Sequence, residues 1–153
     1  MKIIIVGCGK LGTTLAEQLR DEDHELVIVD TNPAKIQQLS ESIDVMGVTG
    51  NGSSIQVLSE AGVEEADILI AVTRSDELNL LCCLIAKKVS NCHTIARVRN
   101  PIYNKEVHFI QKMMGISMII NPEFAAATEM SRLLRFPSAI MLDTFSKGRV
   151  ELL

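Results

Sequence analysis

Two hydrophobic periodicities alternate along this chain. Short runs rich in Ile, Val and Leu recur at a nearly regular interval, at Lys2–Val6, Glu25–Asp30, Asp44–Val48, Asp67–Val72, Thr94–Val98 and Ser117–Ile120. Most are apolar throughout rather than at every second position, the pattern of strands covered on both faces. Between them, apolar residues fall three and four apart, as on one face of a helix. Leu11, Leu15 and Leu19 form one such stripe, and Ile36, Leu39 and Ile43 a second. Leu78, Leu81, Cys82 and Ile85 form a third, and Val107, Ile110, Met113 and Met114 a fourth.

Turn chemistry marks the boundaries. Asn32-Pro33 sets a capping side chain before a proline at the first helical position, and Ser53-Ser54 offers a cap for the third helix. Ala61-Gly62 and Met114-Gly115 read as helix stops. Strands alternating with helices, without hairpin signals, require right-handed crossovers and a parallel sheet. The pattern therefore predicts a doubly wound α/β fold with six parallel strands.

From Pro122 the pattern changes. Glu123 to Leu134 reads as a last helix with an Ala125-Ala126-Ala127 run, suited either to covering the sheet or to meeting another subunit. Arg135-Phe136-Pro137 interrupts it, and the remaining residues resemble a strand broken by a Lys147-Gly148 turn. The expected organisation is one domain over residues 1–135, then a linker and the start of a truncated further domain over 136–153.

Composition narrows the function. The 153 residues are 47% hydrophobic and 22% charged, which excludes a disordered chain. A net charge of −4 and an aromatic content of 3% argue against a nucleic-acid partner, since neither a basic footprint nor a stacking platform is present. No run reaches the roughly 18 apolar residues of a membrane span, and Gly7 cuts the N-terminal apolar run too short for a signal peptide. A cytoplasmic location is expected. Cys8, Cys82, Cys83 and Cys92 form no CxxC pair, so they are expected to be reduced, mostly buried thiols rather than metal ligands.

The motif that carries chemistry is Gly7-Cys8-Gly9-Lys10-Leu11-Gly12. It follows the first strand, opens the Leu11/Leu15/Leu19 helix and precedes a second strand ending in Asp30, the context of a dinucleotide fingerprint in a Rossmann-like sheet. Gly7 permits the turn, Gly9 lets backbone approach a pyrophosphate, and Gly12 lets the helix pack close to the sheet. The helix N-terminus then offers N–H groups and a partial positive charge to phosphates. Asp30 can accept both ribose hydroxyls and would repel a 2′-phosphate, which favours NAD(H) over NADP(H).

Three further loops follow strands on the same side. Gly50-Asn51-Gly52-Ser53 can lie against an adenine or be a plain turn and cap. In Thr73-Arg74-Ser75-Asp76-Glu77, Thr73 can meet the second half of a ligand, while Ser75 with the acids after it reads as a helix cap. Arg97 and Arg99, the basic residues of the fifth strand, each need an anionic partner, and periodicity does not choose which of them reaches phosphate. No His falls beside these loops, and Tyr103 is followed by Asn104, Lys105 and Glu106 rather than by a Tyr-x-x-x-Lys pair. Redox catalysis by these residues alone is not expected.

Lys2 through Gly12, Val29-Asp30, Gly50-Asn51-Gly52, Ala71-Val72-Thr73 with Asp76-Glu77-x-Asn79, and Ile95-Ala96-Arg97 together resemble the TrkA family. These are peripheral nucleotide-binding subunits of bacterial and archaeal Trk potassium uptake systems, with a domain type called RCK or KTN. The resemblance covers about residues 1–135. It implies a sensor rather than an enzyme, with NAD(H) or alternatively ATP, ADP or AMP as ligand. It also implies a homodimer formed through the last helix, assembled as a cytoplasmic ring beneath an integral-membrane potassium-translocating subunit. Ligand contacts carried over by position are Gly7, Cys8, Gly9, Lys10, Leu11, Gly12, Asp30, Asn51, Thr73, Arg74 and Arg97, so the resemblance favours Arg97 over Arg99. Two other readings share the glycine loop: the NAD-binding domain of a dehydrogenase whose catalytic domain lies beyond Leu153, and a dimerisation module with a vestigial site.

Overall fold

A computed structural model of the chain describes residues 1–103, 106–135, 143–145 and 150–152, the last two segments by backbone alone. It divides into two compact units, Met1–Ile120 and Asn121–Leu153. The first contains β1 (Lys2–Val6), α1 (Lys10–Leu19), β2 (Glu25–Asp30), α2 (Pro33–Ile43), β3 (Met46–Thr49) and α3 (Ile55–Glu60). Then follow β4 (Ile68–Ala71), α4 (Asp76–Val89), β5 (His93–Arg97), α5 (Val107–Met114) and β6 (Met118–Ile120). The strands form one sheet in the order β3-β2-β1-β4-β5-β6. Every pairing in it is parallel, as the missing hairpin signals predict.

Alternate side chains of each central strand enter different cores. Ile3 and Ile5 of β1, with Leu26 and Ile28 of β2, join a cluster completed by Ala16 of α1 and by Ile36 and Leu39 of α2. Ile4, Val6, Val27 and Val29 point the other way, against Leu58 of α3 and Leu80, Cys82, Cys83 and Ala86 of α4. Two covered faces explain why these strands read as continuous apolar runs. Each fully buried Ile or Val contributes about 1.5–3 kcal/mol through removal from water.

Boundaries moved where a backbone conformation or a side-chain partner decided them. The third strand starts two residues later than expected, because Asp44 takes a left-handed conformation (φ 53°) as the C-cap of α2. The fifth strand ends at Arg97, which leaves Arg99 in the loop beyond it. On α4 the buried face runs through Asn79, Leu80, Cys82, Cys83 and Ala86; Cys82 is buried as expected, while Leu81 is 44% exposed, so the stripe is shifted toward Asn79 and Leu80. Met113 of α5 is also exposed. Asn32 caps α2 as expected, accepting from the N–H groups of Ala34 and Lys35 at 3.0 and 3.3 Å. Ser54 occupies the N-cap of α3 but makes no side-chain cap. Ser53 instead donates its hydroxyl to Asn51 Oδ1.

In the second unit, α6 spans Pro122–Arg135, one residue longer at each end than expected. Asn121 Oδ1 caps it through the Phe124 N–H at 3.0 Å, and Arg132 pairs bidentately with Glu129. β7 (Asp143–Phe145) and β8 (Val150–Leu152) pair antiparallel. The expected linker after Arg135 and the Lys147-Gly148 turn lie outside the described residues.

All four cysteines are free and buried. Burial pushes the Cys82 thiol from its ordinary 9.0 up to about 12, and burial followed by the neighbouring Cys82 and Cys92 pushes Cys83 up as well. Between those values the unfolded chain has released protons that the folded chain still holds. The pair therefore stabilises the fold below about pH 9, and that contribution is lost as pH rises toward 12. Unfolding free energies from urea titrations at pH 8 to 10.5 should fall by roughly 1 kcal/mol per pH unit for each thiol above pH 9. A Cys82→Ala/Cys83→Ala variant should start less stable and show a flatter slope; an unchanged slope would refute this origin.

Candidate nucleotide site

The carboxyl ends of six parallel strands gather at one edge of the sheet, and the strand order reverses between β1 and β4. In open α/β sheets ligands bind outside such a switch point. There the β1 loop turns at Gly7, whose φ of +113° disfavours any side chain and whose N–H donates to Val29 O at 2.7 Å. A Cβ on Gly7 would lie 3.0 Å from Thr73 N, so the loops after β1 and β4 touch there. At Gly12 a Cβ would sit 1.9 Å from Gly7 O, so α1 can start this close to the sheet only without a side chain. Gly9 differs from both. It is exposed, has an ordinary φ of −79°, and a Cβ there would meet nothing within 4 Å.

The N-terminus of α1 has neither a side-chain cap nor an acid in its first turn. By contrast, Ser75 caps α4, accepting from the Leu78 N–H at 3.1 Å, and Asp76 and Glu77 follow it. α1 thus presents the partial positive charge that an anion would neutralise. Lys10, exposed, and Leu11, half-buried, open the helix beside it.

Asp30, at the end of β2, reaches back to this loop. Its Oδ2 accepts from the Cys8 N–H at 2.6 Å, and its Oδ1 accepts from the Asn32 N–H at 2.9 Å. A carboxylate has about four acceptor positions, so each oxygen retains one for a ribose hydroxyl. Spacing alone pointed to the ribose; the structure adds that Asp30 also fixes the glycine loop. The neighbouring Cys8 thiol is raised to about 12, first by burial and then by the Asp30 charge, with Lys35 opposing. It stays protonated and unreactive near neutral pH.

The Gly50–Ser53 loop has an internal explanation. Cβ atoms on Gly50 and Gly52 would meet Val57 at 2.5 Å and Val6 at 2.3 Å, so packing already demands both glycines. Asn51 is exposed, and its Oδ1 accepts from the Ser53 N–H and hydroxyl at 3.0 and 2.9 Å, leaving its amide NH2 as the group it can offer a ligand.

On the far side of the switch point, Thr73 is half-buried and tied to Asn79, which is fully buried on α4. Asn79 Oδ1 accepts from the Thr73 N–H and hydroxyl at 2.8 and 2.7 Å, and its NH2 donates to Arg97 O at 2.9 Å. Sequence reasoning gave this residue no role of its own. The available signal was a polar side chain lodged between leucines on a helix that the core requires. Arg74 is exposed and lines an open depression of about 330 Å³ with Ser75, Asp76, Glu77, Arg99 and Asn100. Arg99 is a structural cation: it donates to Arg74 O, and its Nε lies 3.7 Å from Asp76 Oδ1. Arg97 is half-buried at the end of β5. The hydroxyl of Tyr103 donates to Glu77 at 2.9 Å, which raises the phenol; the Glu77 carboxyl is lowered first by a hydrogen bond from its own backbone, then by those from Ser75 and Tyr103.

Comparison with known proteins agrees with this fold. Residues 3–122 match the family described as the TrkA-N domain. The chain is 39% identical, over 99% of its length, to the Trk system potassium uptake protein TrkA of Haemophilus influenzae. It is also 39% identical over its full length to a TrkA homolog of Archaeoglobus fulgidus. It spans about a third of those relatives, 34% and 35% of their lengths. Among solved structures, the TrkA-N domain of the Escherichia coli inner membrane protein ybaL superposes with a TM-score of 0.77 at 27% identity, covering 87% of this chain and 96% of that one. The GsuK channel bound to NAD gives 0.66 at 24% identity over 78% of this chain and 21% of that one. The Kef C-terminal domain of Shewanella denitrificans in its AMP-bound form gives 0.71 at 18% identity, over 92% and 84% of the two chains.

The two glycines of the loop should respond oppositely to a methyl group. Gly12→Ala forces a backbone clash and should cost about 3 kcal/mol in thermal or urea unfolding. Gly9→Ala should leave stability unchanged or raise it by a few tenths of a kcal/mol, while weakening any nucleotide that lies on the loop by at least about tenfold. Equal nucleotide affinity in Gly9→Ala and the parent would show that the open space at Gly9 is not where the phosphates go.

Proposed function

As this chain belongs to the TrkA-N domain family, we propose that it is the nucleotide-sensing part of a regulator of potassium uptake. It binds NAD(H), or alternatively ATP, ADP or AMP, and acts on a potassium-translocating membrane subunit from the cytoplasmic face. The observation that carries this reading is the Gly7–Gly12 loop held by Asp30 at the switch point of a 3-2-1-4-5-6 sheet. Support comes from relatives named for Trk potassium uptake and from neighbours of the same fold described with NAD or AMP. Among the described residues, no helix is long and apolar enough to cross a membrane, which fits a peripheral subunit.

The proposed contacts divide between the two halves of the sheet. The pyrophosphate lies on Gly7, Cys8 and Gly9 and at the start of α1 with Lys10, Leu11 and Gly12. The adenosine ribose is held by Asp30, and Asn51 meets the base. Thr73, Arg74 and Arg97 face the second half of a dinucleotide. Two such domains, paired through α6 into a homodimer and then a ring, would change their mutual angle on binding. A ligand drives that change only by the difference in its affinity for the two arrangements. The acids at this edge are engaged by backbone N–H groups or neighbouring hydroxyls.

Calorimetric titration with NAD⁺, NADH, NADPH, ATP, ADP and AMP tests the reading. NADH should bind more tightly than NADPH, because a 2′-phosphate meets Asp30. Asp30→Ala should weaken NADH by about 1.5–3 kcal/mol. It should also lower stability by roughly 1–3 kcal/mol, because the half-buried Cys8 N–H loses its acceptor. Saturating nucleotide that changes neither heat nor melting temperature would remove the sensor, and steady NADH oxidation with a small carbonyl compound would favour the dehydrogenase.

A further inference from the structure

The N-terminal part of α4 carries two buried polar residues one turn apart, Asp76 at 6% exposure and Asn79 at 0%. Such groups are costly in a core unless partnered, and both are held by backbone at the exit of β5, although Asp76 Oδ1 makes no hydrogen bond and faces the Arg99 Nε at 3.7 Å. Asp76 Oδ2 accepts from the N–H groups of Arg99 and Asn100 at 2.9 and 2.7 Å. Asn79 donates to Arg97 O at 2.9 Å while its oxygen holds both the N–H and the hydroxyl of Thr73. The segment from Arg97 to Asn100 is thereby fastened at both ends to one rigid helix, and the end of β4 is fastened to the same point. Neither residue belongs to the Gly7–Gly12 and Asp30 half of the site.

From this asymmetry we infer that Asn79 and Asp76 are positioning residues that set a preference for a dinucleotide over a mononucleotide. This deepens the nucleotide reading above and rests on it. A mononucleotide needs only the loop, the α1 N-terminus and Asp30, which the clamp meets only where Thr73 lies against Gly7. A dinucleotide must also find Thr73 and Arg97 in register, and small misplacement of such groups weakens every contact they make. The clamp removes the freedom of both strand ends before the ligand arrives, which is the source of the selectivity.

The test uses Asn79→Asp, which keeps the shape and the acceptor toward Thr73 but sets a second oxygen against the carbonyls of Arg97 and Thr73. The full 153-residue chain is titrated with NADH and with AMP, and the emission of bound NADH reports the surroundings of the reduced nicotinamide. The variant should lose on the order of tenfold or more in NADH affinity, with a weaker emission change, while AMP affinity stays within about twofold of the parent. Asp76→Asn, which keeps the side-chain volume and removes the charge facing Arg99, should move the same ratio in the same direction. It carries the test alone should Asn79→Asp not fold. A parallel loss of NADH and AMP would make the clamp a purely structural element and overturn the inference, as would no change in either. A parent chain that binds neither ligand would overturn the nucleotide reading itself, and this inference with it.

Discussion

The hydrogen bond from the Cys8 N–H to the Asp30 carboxylate, 2.6 Å long, holds the glycine loop in place. It joins the ends of two adjacent parallel strands at the point where the chain must leave β1, turn and enter α1. Around it the glycines remove volume: Gly7 takes a conformation closed to other residues, and Gly12 lets Gly7 O approach a helix to the limit of contact. Without the carboxylate, the loop would expose an unpaired, half-buried N–H at the centre of the site. Without the glycines, the carboxylate would have no N–H within reach. Turn, helix start and acid form one unit, and the motif carries information only when all three are in register.

That arrangement also explains the charge at the site. Two of the helices that start at this edge neutralise themselves, α2 through Asn32 and α4 through Ser75 with Asp76 and Glu77 behind it. α1 makes no such provision. Its N-terminal groups can be satisfied by water or by an anion, and the space above Gly9 is open to either.

Much of this was legible in the residues themselves. The parallel sheet follows from the alternation of apolar runs and helical stripes, because parallel strands need crossovers, whereas the order β3-β2-β1-β4-β5-β6 is set by tertiary packing. Lys2–Val6 and Glu25–Asp30 match their expected bounds, since both are covered on two faces and end in residues with strong local preferences. Less legible were features decided by partners distant in sequence. Asn79 lies 18 residues from Arg97, and nothing in the local pattern separates a polar residue tolerated on a helix surface from one that fastens two strands. The shift of the α4 stripe has the same origin: the buried face had to include Asn79, which displaced Leu81 outward. Arg99 was assigned to a strand because periodicity cannot see where β5 loses its neighbour, and the Gly50 and Gly52 packing against Val57 and Val6 is likewise a tertiary fact.

Two aspartates show how burial assigns different duties to one chemical device. Asp30 ends β2 and Asp76 opens the helix after β4, and each accepts two backbone N–H groups. Asp30 remains half-buried, so lone pairs on its oxygens still face the open edge. Asp76 is enclosed, with the Arg99 guanidinium beside its second oxygen, so its charge is answered within the protein. A ligand that reaches this edge can therefore meet the acid after β2, whereas the acid at the start of α4 acts on it only through the backbone it holds.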